Sequence, residues 1–190
     1  MKVLLTSLRL VFVSMLICCV VYPAMMLAFA QTIVPHKANG SLLTNAQGKV
    51  IGSALIAQSF TRPEYFWPRP SAVDYNASAS SGSNLSPANP RVADRARRII
   101  ERFGLAEGQR IPADLVTTSG SGMDPHITIE AARFQTPRVT GARGLSTTKV
   151  ESLIEECTEI STLPVFGGER VVNVLKLNIA LDKLPQQKGQ

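Results

Sequence analysis

The chain has 190 residues, of which 45% are apolar and 18% charged, with a formal net charge of +6. That length accommodates one ordinary domain, and no repeat or low-complexity tract points to a solenoid or a disordered tail. Three cysteines and two well-separated histidines, His36 and His126, supply neither a disulfide framework nor a zinc-ligand set.

Residues 10–30 form an uncharged run of 21 residues rich in Leu, Val, Ile, Met and Phe. As a helix this run spans about 32 Å, enough to cross a bilayer. Lys2 and Arg9 are the only charged side chains before it, and Lys37 is the next basic residue. The positive-inside rule therefore places residues 1–9 in the cytoplasm, 10–30 in the membrane and 31–190 outside. Pro23 predicts a kink in the span. Ala28, Phe29 and Ala30 also fit the A-x-A pattern of a cleavable secretory signal. The apolar run is longer than a signal core of about 7 to 15 residues and reaches the cut site unbroken, which favours a retained anchor. Leu16 and Ile17 precede Cys18 where lipoprotein processing needs a small residue, so Cys18 and Cys19 read as small apolar residues facing lipid.

From Gln31 onward 18 basic residues face 14 acidic ones. This modest surplus suits a domain held near an anionic membrane surface and does not concentrate potassium ions at long range. Lys49 to Ile51 reads as a short strand ending at Gly52, and Ser53 to Phe60 as an apolar segment of unassigned type. Tyr65 to Pro70 is too proline-rich for a central element and reads as an ordered aromatic loop. Ser80 to Pro90 is a run of turn formers in which Asn89 and Pro90 open a helix carrying Val92, Ala96, Ile99, Ile100 and Phe103 on one face. Gly104 stops that helix. Its arginines, interleaved with Asp94 and Glu101, read as a solvated face and not as a nucleic-acid surface.

Asp114 to Thr117 is expected as a short strand. Thr128 caps a helix from Ile129 that Pro137 is expected to interrupt. Ser146 caps a helix over Thr147 to Glu159 with Val150, Leu153, Ile154 and Cys157 inward, making Cys157 a buried structural thiol. Val171, Leu175, Leu177, Ile179 and Leu181 alternate with Lys176, Asn178 and Asp182, the pattern of a strand. The expected class is α+β: one N-terminal transmembrane helix followed by a single mixed α/β extracytoplasmic domain.

Ser119, Ser121, Asp124 and His126 are the residue types of a hydrolase triad. The elbow G-x-S-x-G is broken by Met123, and Asp124 and His126 lie two residues apart where a triad draws on separate segments. Turn formation is the preferred reading, with a secreted hydrolase using Ser121 the remote alternative. Ser81, Gly82, Ser83 and Asn84 could offer backbone donors to a nucleotide phosphate, although neither a P-loop nor a dinucleotide fingerprint is present.

Five segments together resemble the KdpC family, the C subunit of Kdp-type potassium-transporting P-type ATPases. Gly52–Phe60 (GSALIAQSF) is similar to the family's GSxLIGQ, Tyr65–Ala72 (YFWPRPSA) to YFxxRPSA, and Ser81–Pro90 (SGSNLSPANP) to SGGSNLGPTNP. Leu115–Ile127 (LVTTSGSGMDPHI) resembles LVTxSGSGLDPHI, and Asn173–Asp182 (NVLKLNIALD) resembles NVLxLNLALD. Ala57, Ser83, Ser86 and Ala88 depart from the family pattern by small-for-small changes. The resemblance implies a non-catalytic accessory subunit of a bacterial inner-membrane potassium uptake complex, with no cofactor of its own. Its partners would be a channel-like potassium-binding subunit and a P-type ATPase subunit that handle potassium and ATP, together with the lipid bilayer. The family's C subunit is described as a catalytic chaperone that raises the ATP affinity of the ATPase subunit, and an extracytoplasmic cap over the potassium entrance is the alternative role. Phe66, Trp67 and Arg69 are the expected partner contacts, because aromatic residues and Arg dominate interface energetics. Burial in the core is the competing reading for the two rings.

Overall fold

A continuous apolar helix opens the chain, made of α1 (Lys2–Leu16), a π-helical turn (Ile17–Val21) and α2 (Tyr22–Ile33). The structure is a computed structural model that describes residues 1–45, 47–105, 108–160 and 168–184. Contacts divide the chain into two compact units, Met1–Leu42 and Leu43–Gln190. The 32-residue helix of the first unit is long and apolar enough to cross a membrane, and none of its residues is buried. It extends beyond the expected span at both ends. The π-turn lies just before Pro23, and the carbonyl that a proline ring would strike four residues back, that of Cys19, falls inside this widened turn. A short helix, α3 (Pro35–Ala38), follows, and Gln31 and Asn39 exchange amide hydrogen bonds of 3.2 and 3.3 Å across it.

Strands β1 (Leu42–Thr44) and β2 (Val50–Ser53) form a two-stranded ladder. After a long irregular stretch comes α4 (Pro90–Phe103), opened and closed as its sequence predicts. The Asn89 side chain accepts from the Arg91 N–H at 3.0 Å, and Gly104 ends the helix at φ 64°, a left-handed conformation that glycine adopts without strain.

The remaining elements are α5 (Ala113–Val116), β3 (His126–Thr128), α6 (Ile129–Arg143), α7 (Thr147–Glu156), β4 (Thr158–Ile160), β5 (Arg170–Asn173) and α8 (Val174–Asp182). The three strands form an antiparallel sheet in the order β3-β5-β4, with Ile127 opposite Val172 and Glu159 opposite Val171. The core joins Ile127 and Val172 of this sheet to Val139 of α6, Val150 and Ile154 of α7, and Leu177 and Leu181 of α8. Phe66 and Leu115 complete it. The mixed α/β class is as expected.

Four elements differ from the sequence reading. Asp114 to Thr117 is not a strand: Ala113–Val116 makes one helical turn that buries Leu115. Pro137 does not interrupt α6, which continues to Arg143. Residues on both sides of Pro137 are buried, including Ala131, Ala132, Val139 and Thr140, so tertiary packing holds the two halves in line despite the lost donor. Helix α7 stops at Glu156 and the chain enters β4, leaving Cys157 half-buried, with burial pushing its thiol pKa up. The alternation after Val171 holds only to Asn173. There the Asn173 side chain accepts from Lys176 N–H at 3.1 Å and starts α8. Val174, Leu177, Asn178 and Leu181 are the buried face, a helical spacing once Asn178 is counted as inward.

Candidate functional site

The five sequence segments that carry the family resemblance converge on one polar hub. Ala57 N–H donates to the Met123 carbonyl at 2.9 Å, Ser81 N–H to Ser121 at 3.0 Å, and Val174 N–H to Pro125 at 2.9 Å. The Ser71 hydroxyl donates to the Gly122 carbonyl at 2.6 Å while its oxygen accepts from the Val73 and Tyr75 N–H groups. The Asn173 amide reaches the Ala54 carbonyl at 2.8 Å. Gly122 makes this convergence possible. It sits at φ 71°, and a Cβ there would lie 2.9 Å from the Ser81 carbonyl oxygen and 2.7 Å from Val73.

Phe66 and Trp67 belong to the core. Phe66 has no exposed surface and Trp67 retains 8%. Two buried side-chain amides treat their backbone as a strand partner would. Asn178 accepts from Phe66 N–H at 2.9 Å and donates back to its carbonyl at 3.0 Å, and Gln135 does the same for Trp67 at 2.8 and 3.1 Å. Interface anchors need accessible surface, so the expectation that these two rings meet a partner is corrected in favour of the competing core reading. Arginines complete the clamp. The guanidinium carbons of Arg102 and Arg138 each lie 3.8 Å from the Trp67 ring centroid. Arg138 also donates to the Tyr65 carbonyl and to Gln135 Oε1. Burial, with the charge of Arg102, lowers its pKa to about 10, which leaves it protonated at neutral pH. Arg143, buried in its turn, bonds the Glu64 and Leu181 carbonyls and pairs with Asp182 at 2.7 Å.

Arg69 is the one expected contact residue that keeps useful surface, with 27% of its side chain exposed. It pairs with Asp124 at 3.2 Å on the rim of a cleft of about 220 Å³ lined also by Asp114, His126, Thr128 and Glu169. Asp124 accepts from His126 N–H at 3.0 Å, and its carboxylate lies 3.4 Å from His126 Nδ1. Burial alone would raise the Asp124 pKa. The hydrogen bonds from His126 and the charge of Arg69 outweigh it, and the group sits below its ordinary value. Asp114 is occupied by the N–H and hydroxyl of Thr128.

Ser119 and Ser121 also take part in the local loop structure. Ser119 is buried and its N–H meets the Pro70 carbonyl, while Ser121 Oγ accepts from Met123 N–H. Among the described residues no group of three metal-ligating side chains occurs. In the expected nucleotide loop, Ser81 gives its N–H to Ser121 and its hydroxyl to the Gly82 carbonyl, and Gly82 packs on Gly120. Ser83 is half-buried, and Asn84 is exposed at φ 51°. Sequence reading missed Gln135, Arg138, Arg143 and Asn178. The available signal was a polar residue at an inward helical position, which requires a specific partner.

Comparison with known proteins shows the family of the sequence. The family model described as "KdpC: K+-transporting ATPase, c chain" matches residues 4–183. A potassium-transporting ATPase KdpC subunit of Parvibaculum lavamentivorans is 47% identical, covering 97% of this chain and 98% of its own. A KdpC subunit of Serratia proteamaculans is also 47% identical over 97% and 100% of the two chains, and one of Herpetosiphon aurantiacus is 49% identical over 87% and 88%. With a family model covering nearly its whole length and relatives of this similarity, the chain belongs to the KdpC family, the c chain of potassium-transporting ATPases.

Proposed function

We propose that the chain is a non-catalytic accessory subunit of an ATP-driven potassium uptake complex in the bacterial inner membrane. Its helix anchors it with the N-terminus cytoplasmic, and its domain couples a channel-like potassium-binding subunit to a P-type ATPase subunit. The observation that carries this reading is that Ser121 and Asp124 take part in holding the loop, Ser121 Oγ accepting from Met123 N–H and Asp124 accepting from His126 N–H while pairing with Arg69. Any gain in the ATP affinity of the complex then comes through assembly, without a phosphate contact from Ser81, Gly82, Ser83 or Asn84. Two points support this. The Ser81 N–H already has an acceptor, and the basic flank of Lys2 and Arg9 favours an outside domain, away from cytoplasmic nucleotide. An outside domain also suits a cap over the potassium entrance.

The test compares complexes purified with the full chain, with residues 1–30 deleted, and with a Ser81→Ala, Ser83→Ala double variant. The deletion should abolish assembly, and the double variant should leave ATP affinity within about two-fold, since no charged or buried hydrogen bond is lost. Normal assembly and transport by the deletion form at similar expression would sink the anchor role. A loss of ATP affinity of about ten-fold or more in the double variant, equivalent to roughly 1.4 kcal/mol, would restore direct nucleotide contact.

A further inference from the structure

Helix α4 carries arginines at positions 91, 95, 98 and 102. At about 100° per residue these fall within roughly 60° of the helix circumference and run about 16 Å along its axis. Asp94 and Glu101 border the row about 40° and 60° from Arg98, and Asp94, three residues after Arg91 and four before Arg98, pairs instead with Arg97 at 3.0 Å. Among the described residues, the side chains of Arg91, Arg95 and Arg98 have no carboxylate, hydrogen-bond or ring partner, and Arg95 Nε is buried without an acceptor. Arg102 closes the row beside Trp67, where Arg138 adds another positive charge. Like charges at i,i+3 and i,i+4 destabilise a helix. A solvated face, the reading that sequence alone suggested, does not account for Arg91, Arg95 and Arg98 standing without an acid while Asp94, within reach of two of them, turns to Arg97.

An anionic partner answers the pattern, and the composition of the helix says which. None of the large exposed hydrophobic residues lies on α4. A stable protein interface needs an apolar centre, whereas a purely cationic row suits a fluid surface of mobile negative headgroups. The chain carries its own membrane-length helix, and the inference rests on the proposed anchoring of that helix, which tethers the domain to a bilayer. We propose that the α4 arginine stripe is a docking surface for anionic phospholipid headgroups, holding the domain against the membrane that anchors it. This inference does not depend on which subunits the domain meets.

The test places the full chain in nanodiscs of phosphatidylcholine alone or mixed with phosphatidylglycerol. Cys18, Cys19 and Cys157 are replaced, a donor dye is attached at Ala93→Cys, which faces away from the stripe, and an acceptor is carried on the headgroups. Energy transfer should rise in the anionic discs and collapse in R91Q/R95Q/R98Q, with the docking equilibrium falling on the order of 100-fold at about five-fold per arginine. The single Arg98→Gln should lose about five-fold while Arg98→Lys retains docking, separating charge from a folding defect. Equal transfer in the two lipids, or an anionic response that survives in the triple variant, would overturn the proposal. So would a rise in neutral discs that appears only on adding the other subunits, which would assign the stripe to an acidic protein.

Discussion

The two units of this chain are stabilised in opposite ways. Along Lys2–Ile33 no side chain is buried, and the helix satisfies its backbone internally, the condition for crossing hydrocarbon. In the unit from Leu43 onward, much of the order comes from polar groups holding irregular backbone: Asn178 and Gln135 on Phe66 and Trp67, Ser71 on Gly122, Arg143 on Glu64. The first unit therefore tolerates substitution so long as it remains apolar and helical. The second depends on single atoms placed by distant parts of the chain.

The largest effect should come from Asn178→Ala, which strips both partners from the Phe66 peptide groups deep in the core. The expected loss is about 2–5 kcal/mol, read by denaturant unfolding of the domain. A loss under about 0.5 kcal/mol would show that the clamp is incidental. Gly122→Ala comes next, at about 2–4 kcal/mol, because left-handed backbone and a Cβ pressed on Ser81 and Val73 act together. Unchanged stability in that variant would mean that the hub loops can separate freely.

Asp124→Asn should cost about 1 kcal/mol at neutral pH, with a diagnostic pH dependence. Because the folded pKa is depressed, the wild-type contribution is complete above the ordinary carboxylate value and is lost as pH falls through the lower folded value. The variant's stability should thus fall less steeply than wild type below about pH 4, measured by thermal unfolding from neutral to acid pH. Parallel curves would remove Asp124 from the acid limb. Smallest of all, Pro23→Ala should leave unfolding of the second unit within about 0.5 kcal/mol of wild type. Its consequence should be confined to the π-turn, read as restored α-helical hydrogen exchange between Ile17 and Val21. A destabilised domain would break the separation between the two units.

Local chemistry made part of this fold legible. Asn89, Pro90 and Gly104 bracket α4, and the long uncharged run marks the membrane-length helix. Pattern failed where tertiary context decides. Pro137 remains within α6 because both halves are buried, and α8 mimics a strand because Asn178, polar yet inward, disguises the helical period. The hub followed the same division. Its segments were recognisable one by one, but the bonds that join them link residues 112 and 119 positions apart, beyond the reach of spacing arguments. Phe66 and Trp67 illustrate the cost: an aromatic pair beside prolines resembles an interface until the buried amides that hold it are seen.

The most direct test of an outside, non-nucleotide role is labelling of a single cysteine at Ala88, an exposed position in the Ser81–Pro90 segment, with the three native cysteines replaced. An impermeant thiol reagent applied to intact cells should label it fully, with no change on permeabilisation or on adding ATP. Labelling only after permeabilisation, with protection by ATP, would reverse the orientation and return the Ser81–Asn84 loop to the nucleotide.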